Sequence, residues 1–434
     1  EATDVLPDQD FDLIYTVSPE DVGLNLLSYK EPGQDGFFLL LAAPTVDVER
    51  VIPRDVMLVL DVSGSMAGEK MAQAKDALAY VLGHLNEEDR FNVVAFSTGV
   101  RQYARGLQPA SQAEEAIAWV AGLEAIGGTD INRALLEALV QMEPGRPTVI
   151  IFLTDGLPTE GVVEIDQILA NVEVSASDDV RLFPFGVGDD VNTVLLDTLA
   201  EQQRGTTGYV RPHERIDEEV SAFYAKIRTP VLTDIALTFD DVLVEDVYPT
   251  PLPDLFAGAQ LVLVGRYRDG GATDITLTGA VEGAQREFGY EGYFHRSGGD
   301  DFIPRLWATR KIGYLLKQIR LHGERQEWID AVVELSVRYG IITPYTSFLI
   351  EEQDILTEEG RAEVKHGYAG APTPEAVGAP AAERADAEGG LYDSESVGGS
   401  EALPEGAREI VRLVGPKTFV LRDGVWIDTT FDPS

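Results

Sequence analysis

Cysteine is absent from all 434 residues. That excludes disulfides, thiolate metal sites and cysteine nucleophiles, and leaves the compartment open, since many exported bacterial proteins also lack it. Basic residues are scarce: 34 Lys and Arg stand against 74 Asp and Glu, giving a formal net charge of −40. Such a polyanion is repelled by nucleic acid and by anionic surfaces, so neither is expected as a partner. The excess charge reads as solubility or adaptation to salt or divalent ions. No run approaches the roughly 18 uninterrupted apolar residues of a membrane span. Histidine is sparse, and His84, His213, His295, His322 and His366 are scattered. No Ser-His-Asp arrangement stands out, and His84, on a helix with apolar neighbours, reads as structural. A phosphate-cradling loop is missing too: Ala67-Gly68-Glu69-Lys70 lacks the hydroxyl residue and the preceding spacing. The chain begins at Glu1 without Met, basic segment or apolar signal core, and is expected to be a processed form or a fragment.

Apolar material is ample, at 44% of residues, and the length suits two or three domains of about 100–200 residues. Met57-Leu58-Val59-Leu60 leads into Asp61, and Val149-Ile150-Ile151-Phe152-Leu153 leads into Asp155. Phe91–Phe96 and Arg181–Val187 are similar runs. Segments apolar on both faces suit a parallel sheet covered by helices. Between them the apolar residues take helical spacing, as in Met71, Ala74, Leu78, Val81, Leu82 and Leu85. Ala116, Ile117, Val120 and Leu123 do the same, as do Ile131, Leu135, Leu136 and Leu139, with Asp130 placed to cap the last helix. Residues 54–228 therefore read as an α/β domain with a doubly wound, mostly parallel sheet.

The flanks differ. Phe11–Val17 alternates, Gly36–Ala42 is a buried strand, and Ile235–Phe239, Gln260–Gly265 and Thr273–Thr278 are short strands separated by turns. Residues 1–53 and 229–303 are expected to form one β-sandwich into which the α/β domain is inserted, because the leading segment is too small to fold alone. Residues 304–361 hold a helical pair and a closing strand. The first stripe is Leu306, Ile312, Leu315, Leu316 and Ile319; the second runs from Trp328 to Val337, with Gly340 ending it. Trp307 and Trp328 read as core. The basic residues Arg305, Arg310, Lys311, Lys317, Arg320 and Arg325 are expected to make salt links with the acidic domains. Residues 362–406, rich in Ala, Gly, Pro, Glu and Ser, read as a disordered linker. Residues 407–434 read as a hairpin turning at Asp423-Gly424 and docked on the sandwich.

Three loops carry chemistry. Asp61-Val62-Ser63-Gly64-Ser65 follows one strand, Thr129 follows Gly127-Gly128, and Leu153-Thr154-Asp155-Gly156 ends another strand. In doubly wound sheets, ligands collect at the carboxyl edge of the strands. Asp61, Ser63, Ser65, Thr129 and Asp155 are thus expected to meet as one divalent-metal site, with hydroxyls supplying neutral oxygens and the two carboxylates supplying charge. Mg²⁺ suits that donor set, with Ca²⁺ or Mn²⁺ as alternatives. With only two carboxylates the ion stays electron-poor and accepts an acidic ligand from outside. The motif closely resembles the metal-ion-dependent adhesion site of von Willebrand factor A domains.

The combination resembles the inter-alpha-trypsin inhibitor heavy chain family, in which such a domain follows a VIT domain. Leu6–Phe11 is similar to the family's leading strand, and Arg338–Leu349 is similar to the segment after its helices. The likeness spans about residues 6–352, and the missing cysteines of animal members point to a bacterial one. The resemblance implies a secreted or surface-exposed binding protein, not an enzyme, whose bound cation coordinates an acidic group on a protein or glycan. The alternatives are an intracellular adaptor for an AAA-type ATPase and a metal-dependent hydrolase.

Overall fold

The computed structural model describes residues 21–44, 52–281, 284–341, 343, 376–394, 411–414, 417–422 and 425–429. The expected strand at Phe11–Val17 lies outside them, as do residues 342 and 344–349 of the segment Arg338–Leu349. Strands β1 (Val22–Lys30) and β2 (Gly36–Pro44) come first. The α/β domain follows as β3 (Asp55–Asp61), α1 (Glu69–Gly83), β4 (Arg90–Phe96), β5 (Val100–Gln102) and β6 (Gln108–Pro109). It continues through α2 (Ala113–Ala121), α3 (Ile131–Leu139), β7 (Thr148–Thr154), α4 (Ile165–Ser175) and β8 (Val180–Val187). Helix α5 (Thr193–Gln202), β9 (Gly208–Val210) and α6 (Ile216–Ile227) complete it.

Strand order is β5-β4-β3-β7-β8-β9, with every pairing from β4 to β9 parallel and only β5 and β6 antiparallel to β4. Every residue of β3 and β7 is buried, because helices cover both faces. One core layer joins the sheet to α1, α2 and α6, and the other joins it to α3, α4 and α5. Each fully buried Leu or Phe there contributes about 1.5–3 kcal/mol. The chain runs from β3 to β4 on one side, then crosses β3 to reach β7. The sheet's switch in direction therefore falls at the carboxyl ends of β3 and β7.

Strands β10 (Pro230–Phe239), β11 (Val244–Tyr248), β12 (Leu255–Phe256), β13 (Leu261–Tyr267), β14 (Gly271–Val281), β15 (Ala284–Phe294) and β16 (Gly298–Gly299) follow. They join β1 and β2 in two facing sheets, ordered β11-β13-β2-β1-β16 and β12-β10-β14-β15. Strand β2 pairs antiparallel with β13 from Leu261↔Ala42 to Tyr267↔Gly36. The leading segment thus completes a sheet whose other members lie beyond the α/β domain. Arg54, fully buried where that domain begins, donates to the carbonyl of Ile227 at 2.5 Å and to the Tyr224 hydroxyl at 3.1 Å, tying its first strand to its last helix.

Helices α7 (Ile303–His322) and α8 (Gln326–Tyr339) pack on the outer face of the β2/β13 sheet through Trp307, Leu306, Ile312 and Val333. Trp307 is buried and Trp328 half-buried. Gly340 ends α8 in the left-handed conformation at φ 61°, which suits glycine. Three of the six basic residues named above are seen in salt links: Lys311 with Asp246 at 2.8 Å, Lys317 with Glu201 at 3.2 Å, and Arg320 with Asp197 at 2.5 Å; Arg310 donates to the Ser394 and Val262 carbonyls, and Arg325 lies over the Trp328 ring.

Two expectations at the C-terminal end are corrected. Within the segment read as a linker, Ala379–Tyr392 is a helix, α9. It buries Ala381, Ala382, Ala385 and Glu388 and crosses α7 at Gly313, where a Cβ would stand 2.5 Å from the Tyr392 nitrogen. Close approach of small residues, together with the Arg320–Glu388 pair at 2.6 Å, holds it without an apolar stripe. The tail holds the expected hairpin, β18 (Lys417–Arg422) with β19 (Val425–Asp428), widened to a three-stranded sheet by β17 (Val411–Val414), which pairs with β18. It contacts α8, where the Thr429 hydroxyl donates to the Arg338 carbonyl at 3.4 Å, instead of extending a sandwich edge. Asp423 and Gly424 lie outside the described residues.

Candidate metal-binding site

The apolar run of β3 delivers Asp61 to the carboxyl edge of the sheet with its side chain fully buried. One carboxylate oxygen accepts the Ser63 backbone N–H at 2.8 Å and the other accepts the Thr154 hydroxyl at 2.7 Å. A short 3₁₀ turn, Gly64–Met66, follows. It sets the Ser63 and Ser65 hydroxyls 3.0 Å apart, and Ser65 donates to Asp155 Oδ1 at 2.7 Å. Asp61, Ser63, Ser65 and Asp155 thus form one continuous polar chain across the ends of β3 and β7.

Thr129 joins through its loop backbone. The Gly64 N–H donates to the Gly127 carbonyl at 3.0 Å. Gly127 has φ +93°, and a Cβ there would stand 2.9 Å from the Thr98 hydroxyl, so the turn requires glycine. The Thr129 N–H donates to the Thr159 hydroxyl at 2.9 Å, and its carbonyl accepts from the Thr159 and Glu160 N–H groups at 2.9 and 3.2 Å. Asp130 then caps α3 by accepting the Arg133 N–H at 3.0 Å. The loop is fixed from both sides, and Thr129 is buried beneath it.

The two carboxylates differ in electrostatics. Burial pushes the Asp61 carboxyl up to about 6, against the opposing pull of its hydrogen bonds from Ser63 and Thr154, and the Asp155 charge adds to the rise. Its hydrogen-bond partners are neutral donors. Asp155, also buried, bonds the Lys70 ammonium at 2.6 Å through its second oxygen. A cluster of neutral hydroxyls beside a buried, uncompensated carboxylate is a hard-oxygen donor set, which fits Mg²⁺ or a similar cation. Among the described residues, no group of three or more His, Cys, Asp or Glu is placed to hold a metal, so the candidate set depends on those hydroxyls.

Two contributors were missed from sequence. Thr154 precedes Asp155 directly, and its position at the end of a buried strand could have marked it as an orienting donor. Lys70 was considered only as part of a phosphate loop; its place at the start of a helix facing an acidic motif was the usable signal. The His84 Nδ1–H donates to the Tyr80 carbonyl at 2.7 Å, and the ring stacks on that of Tyr80.

A family model for the von Willebrand factor type A domain matches residues 54–208. Human inter-alpha-trypsin inhibitor heavy chain H4 is 32% identical over 352 residues, covering 74% of this chain. Over that portion the chain is inter-alpha-trypsin inhibitor heavy chain-like, and residues 54–208 are similar to the von Willebrand factor type A domain. It spans 37% of the length of human H4, so the relative extends well beyond the matched portion. A von Willebrand factor type A structure from Catenulispora acidiphila shares the fold over 87% of this chain and 97% of its own, at a TM-score of 0.57 and 18% identity. The ArnB paralog VWA2 from Sulfolobus acidocaldarius covers 86% of this chain and 98% of its own, at a TM-score of 0.50 and 16% identity. The likeness of fold therefore extends past the A domain into the flanking parts. No helix among the described residues is long and apolar enough to cross a membrane.

Proposed function

We propose that this heavy chain-like protein is a secreted or surface-exposed binding protein. In this reading a divalent cation, held by Asp61, Ser63, Ser65, Thr129 and Asp155, coordinates an acidic group of a protein or glycan partner. The observation that carries it is the hydrogen-bonded chain Asp61–Ser63–Ser65–Asp155 at the switch point of the sheet. When bound, the cation supplies a Lewis-acidic position for an anionic oxygen. The chain's own residues do the rest. Thr154 and the Ser63 N–H hold Asp61 in one rotamer, Ser65 orients Asp155, and Lys70 shares the Asp155 charge so that the site stays electron-poor. Likeness to the heavy chains supports binding rather than catalysis, and Mg²⁺ is the proposed ion, with Ca²⁺ or Mn²⁺ able to use the same donors.

The test uses the full chain immobilised over a native envelope or extracellular extract, in Mg²⁺ and in EDTA. The reading expects a bound fraction that EDTA releases and that the Asp61→Ala and Ser65→Ala variants fail to retain. Retention by both variants in EDTA would contradict it.

A further inference from the structure

Resting on the metal-site reading, we infer that the partner is a protein segment whose single carboxylate stands between aliphatic side chains, and that Ile126 and Leu157 select it over an anionic glycan. The loops around Asp61, Ser63 and Ser65 are bonded to one another. The Val62 N–H donates to the Phe96 carbonyl at 2.7 Å, and the Ile126 N–H donates to the Val62 carbonyl at 2.8 Å. The Gly128 N–H donates to the Thr98 hydroxyl at 2.8 Å. Beyond Asp155, a Cβ at Gly156 would stand 3.9 Å from the Ser65 hydroxyl, and the Thr159 N–H reaches the Thr129 carbonyl at 2.9 Å. Four loops therefore make one surface around the site.

Charge is missing from that surface. The β3–α1 loop, residues 62–68, carries none, and neither does the β4–β5 loop, residues 97–99. Residues 125–129 and 156–159, the parts of the other two loops that adjoin the metal residues, carry none either. In a chain with 25% charged residues, several would be expected there. The exposed and half-exposed positions are Gly, Ala, Ser, Thr, Pro, Ile and Leu. Acids resume just outside, at Glu69, Glu124 and Glu160. An uncharged centre inside a charged rim is the pattern of a protein interface.

Two aliphatic side chains stand out from this centre. Of the eight large apolar residues exposed among those described, Ile126, Leu157 and Val163 lie on the loops that hold Thr129 and Asp155. Ile126 is 69% exposed and Leu157 37%. Single exposed aliphatics are ordinary. These two differ in place: the Ile126 backbone is bonded to the metal loop, and Leu157 lies between Asp155 and the bonded Thr159. A partner would cover them without first having to order their loops.

Charge then sets the ligand class. The cation takes one carboxylate, and the uncharged segments offer no Lys or Arg for a second anionic group. Lys70, at the start of α1, is already committed to Asp155. A glycan with repeated uronate or sulfate groups would meet Glu69, Glu124 and Glu160 on a chain of net charge −40. One Asp or Glu between Leu, Ile or Val side chains brings a single charge and apolar surface for Ile126 and Leu157.

Saturation-transfer NMR on the full chain in Mg²⁺ and in EDTA tests this. The probes are acetyl-Leu-Glu-Leu-amide, acetyl-Ser-Glu-Ser-amide, acetyl-Leu-Gln-Leu-amide and glucuronate. Leu-Glu-Leu should bind only in Mg²⁺, and at least ten-fold more tightly than the other three. Ile126→Ser and Leu157→Ser, both at exposed positions, should each weaken that binding about five-fold. Both should leave Mg²⁺ affinity by calorimetry and Ser-Glu-Ser binding unaltered. Equal, Mg²⁺-dependent binding of Ser-Glu-Ser or glucuronate would overturn the inference and leave the metal site standing, as would wild-type binding of Leu-Glu-Leu by both variants. Absence of Mg²⁺-dependent binding by every carboxylate probe would overturn both readings.

Discussion

Asp61 and Asp155 differ in what neutralises them. Asp155 has the Lys70 ammonium 2.6 Å away, while the hydrogen-bond partners of Asp61 are neutral. Lys70 is partly exposed, so its pairing is screened and competes only modestly with a cation. Lys70→Met should therefore tighten Mg²⁺ binding by roughly two- to five-fold, measured by calorimetry; unchanged or weaker binding would show that Lys70 serves only to position Asp155. Ser65→Ala removes the hydroxyl linking Ser63 to Asp155 and should weaken Mg²⁺ binding while leaving the melting temperature of the EDTA-treated protein nearly unaltered. A different kind of residue sits at the base of the A domain. Arg54 serves Ile227 and Tyr224 while fully buried, so Arg54→Ala should cost about 3–5 kcal/mol in denaturant unfolding.

At the scale of elements, α9 is the most informative. Gly313 lets its C-terminal turn lie against α7, so Gly313→Val should detach it, and limited proteolysis should then cleave between residues 379 and 392. Protection equal to wild type would mean that the crossing tolerates a side chain. The strands of the A domain were legible because they are buried on both faces and so read as continuous apolar runs, as Met57–Leu60 and Val149–Leu153 do. The Asp61 and Asp155 positions were legible for the same reason, since each ends or follows such a run, and the Thr129 loop was legible because it leads into the capped start of α3. Helix α9 was not legible by composition. Its buried positions are Ala381, Ala382, Ala385 and Glu388, spaced for one helical face but too small and polar to register as a stripe. What stabilises it, Arg320, Arg211 and Gly313, lies far away in sequence. Strand β17 was missed because its pairing with β18 is a tertiary choice that neither segment's own pattern declares.

For the whole molecule, the pairing of β2 with β13 makes the sandwich depend on chain from both sides of the A domain. A fragment of residues 229–341 lacks that central strand and exposes the apolar faces of β13 and α7. It should be poorly soluble, whereas addition of residues 21–44 in trans or by fusion should restore it. Residues 54–228 carry a complete sheet with both helical layers and should fold alone. Circular dichroism and sedimentation of the two fragments check both outcomes. The A domain is also held by Arg181 to Asp254 at 2.9 Å and by Asp197 to Arg320 of α7 at 2.5 Å.

The most direct measurement of the central claim is a Mg²⁺ titration by calorimetry of the full chain and of the Asp61→Ala, Asp155→Ala double variant, both first stripped with EDTA. The account predicts one saturable site in the wild type that disappears in the variant, with the circular dichroism spectrum retained. Unaltered Mg²⁺ binding in a folded double variant would contradict it.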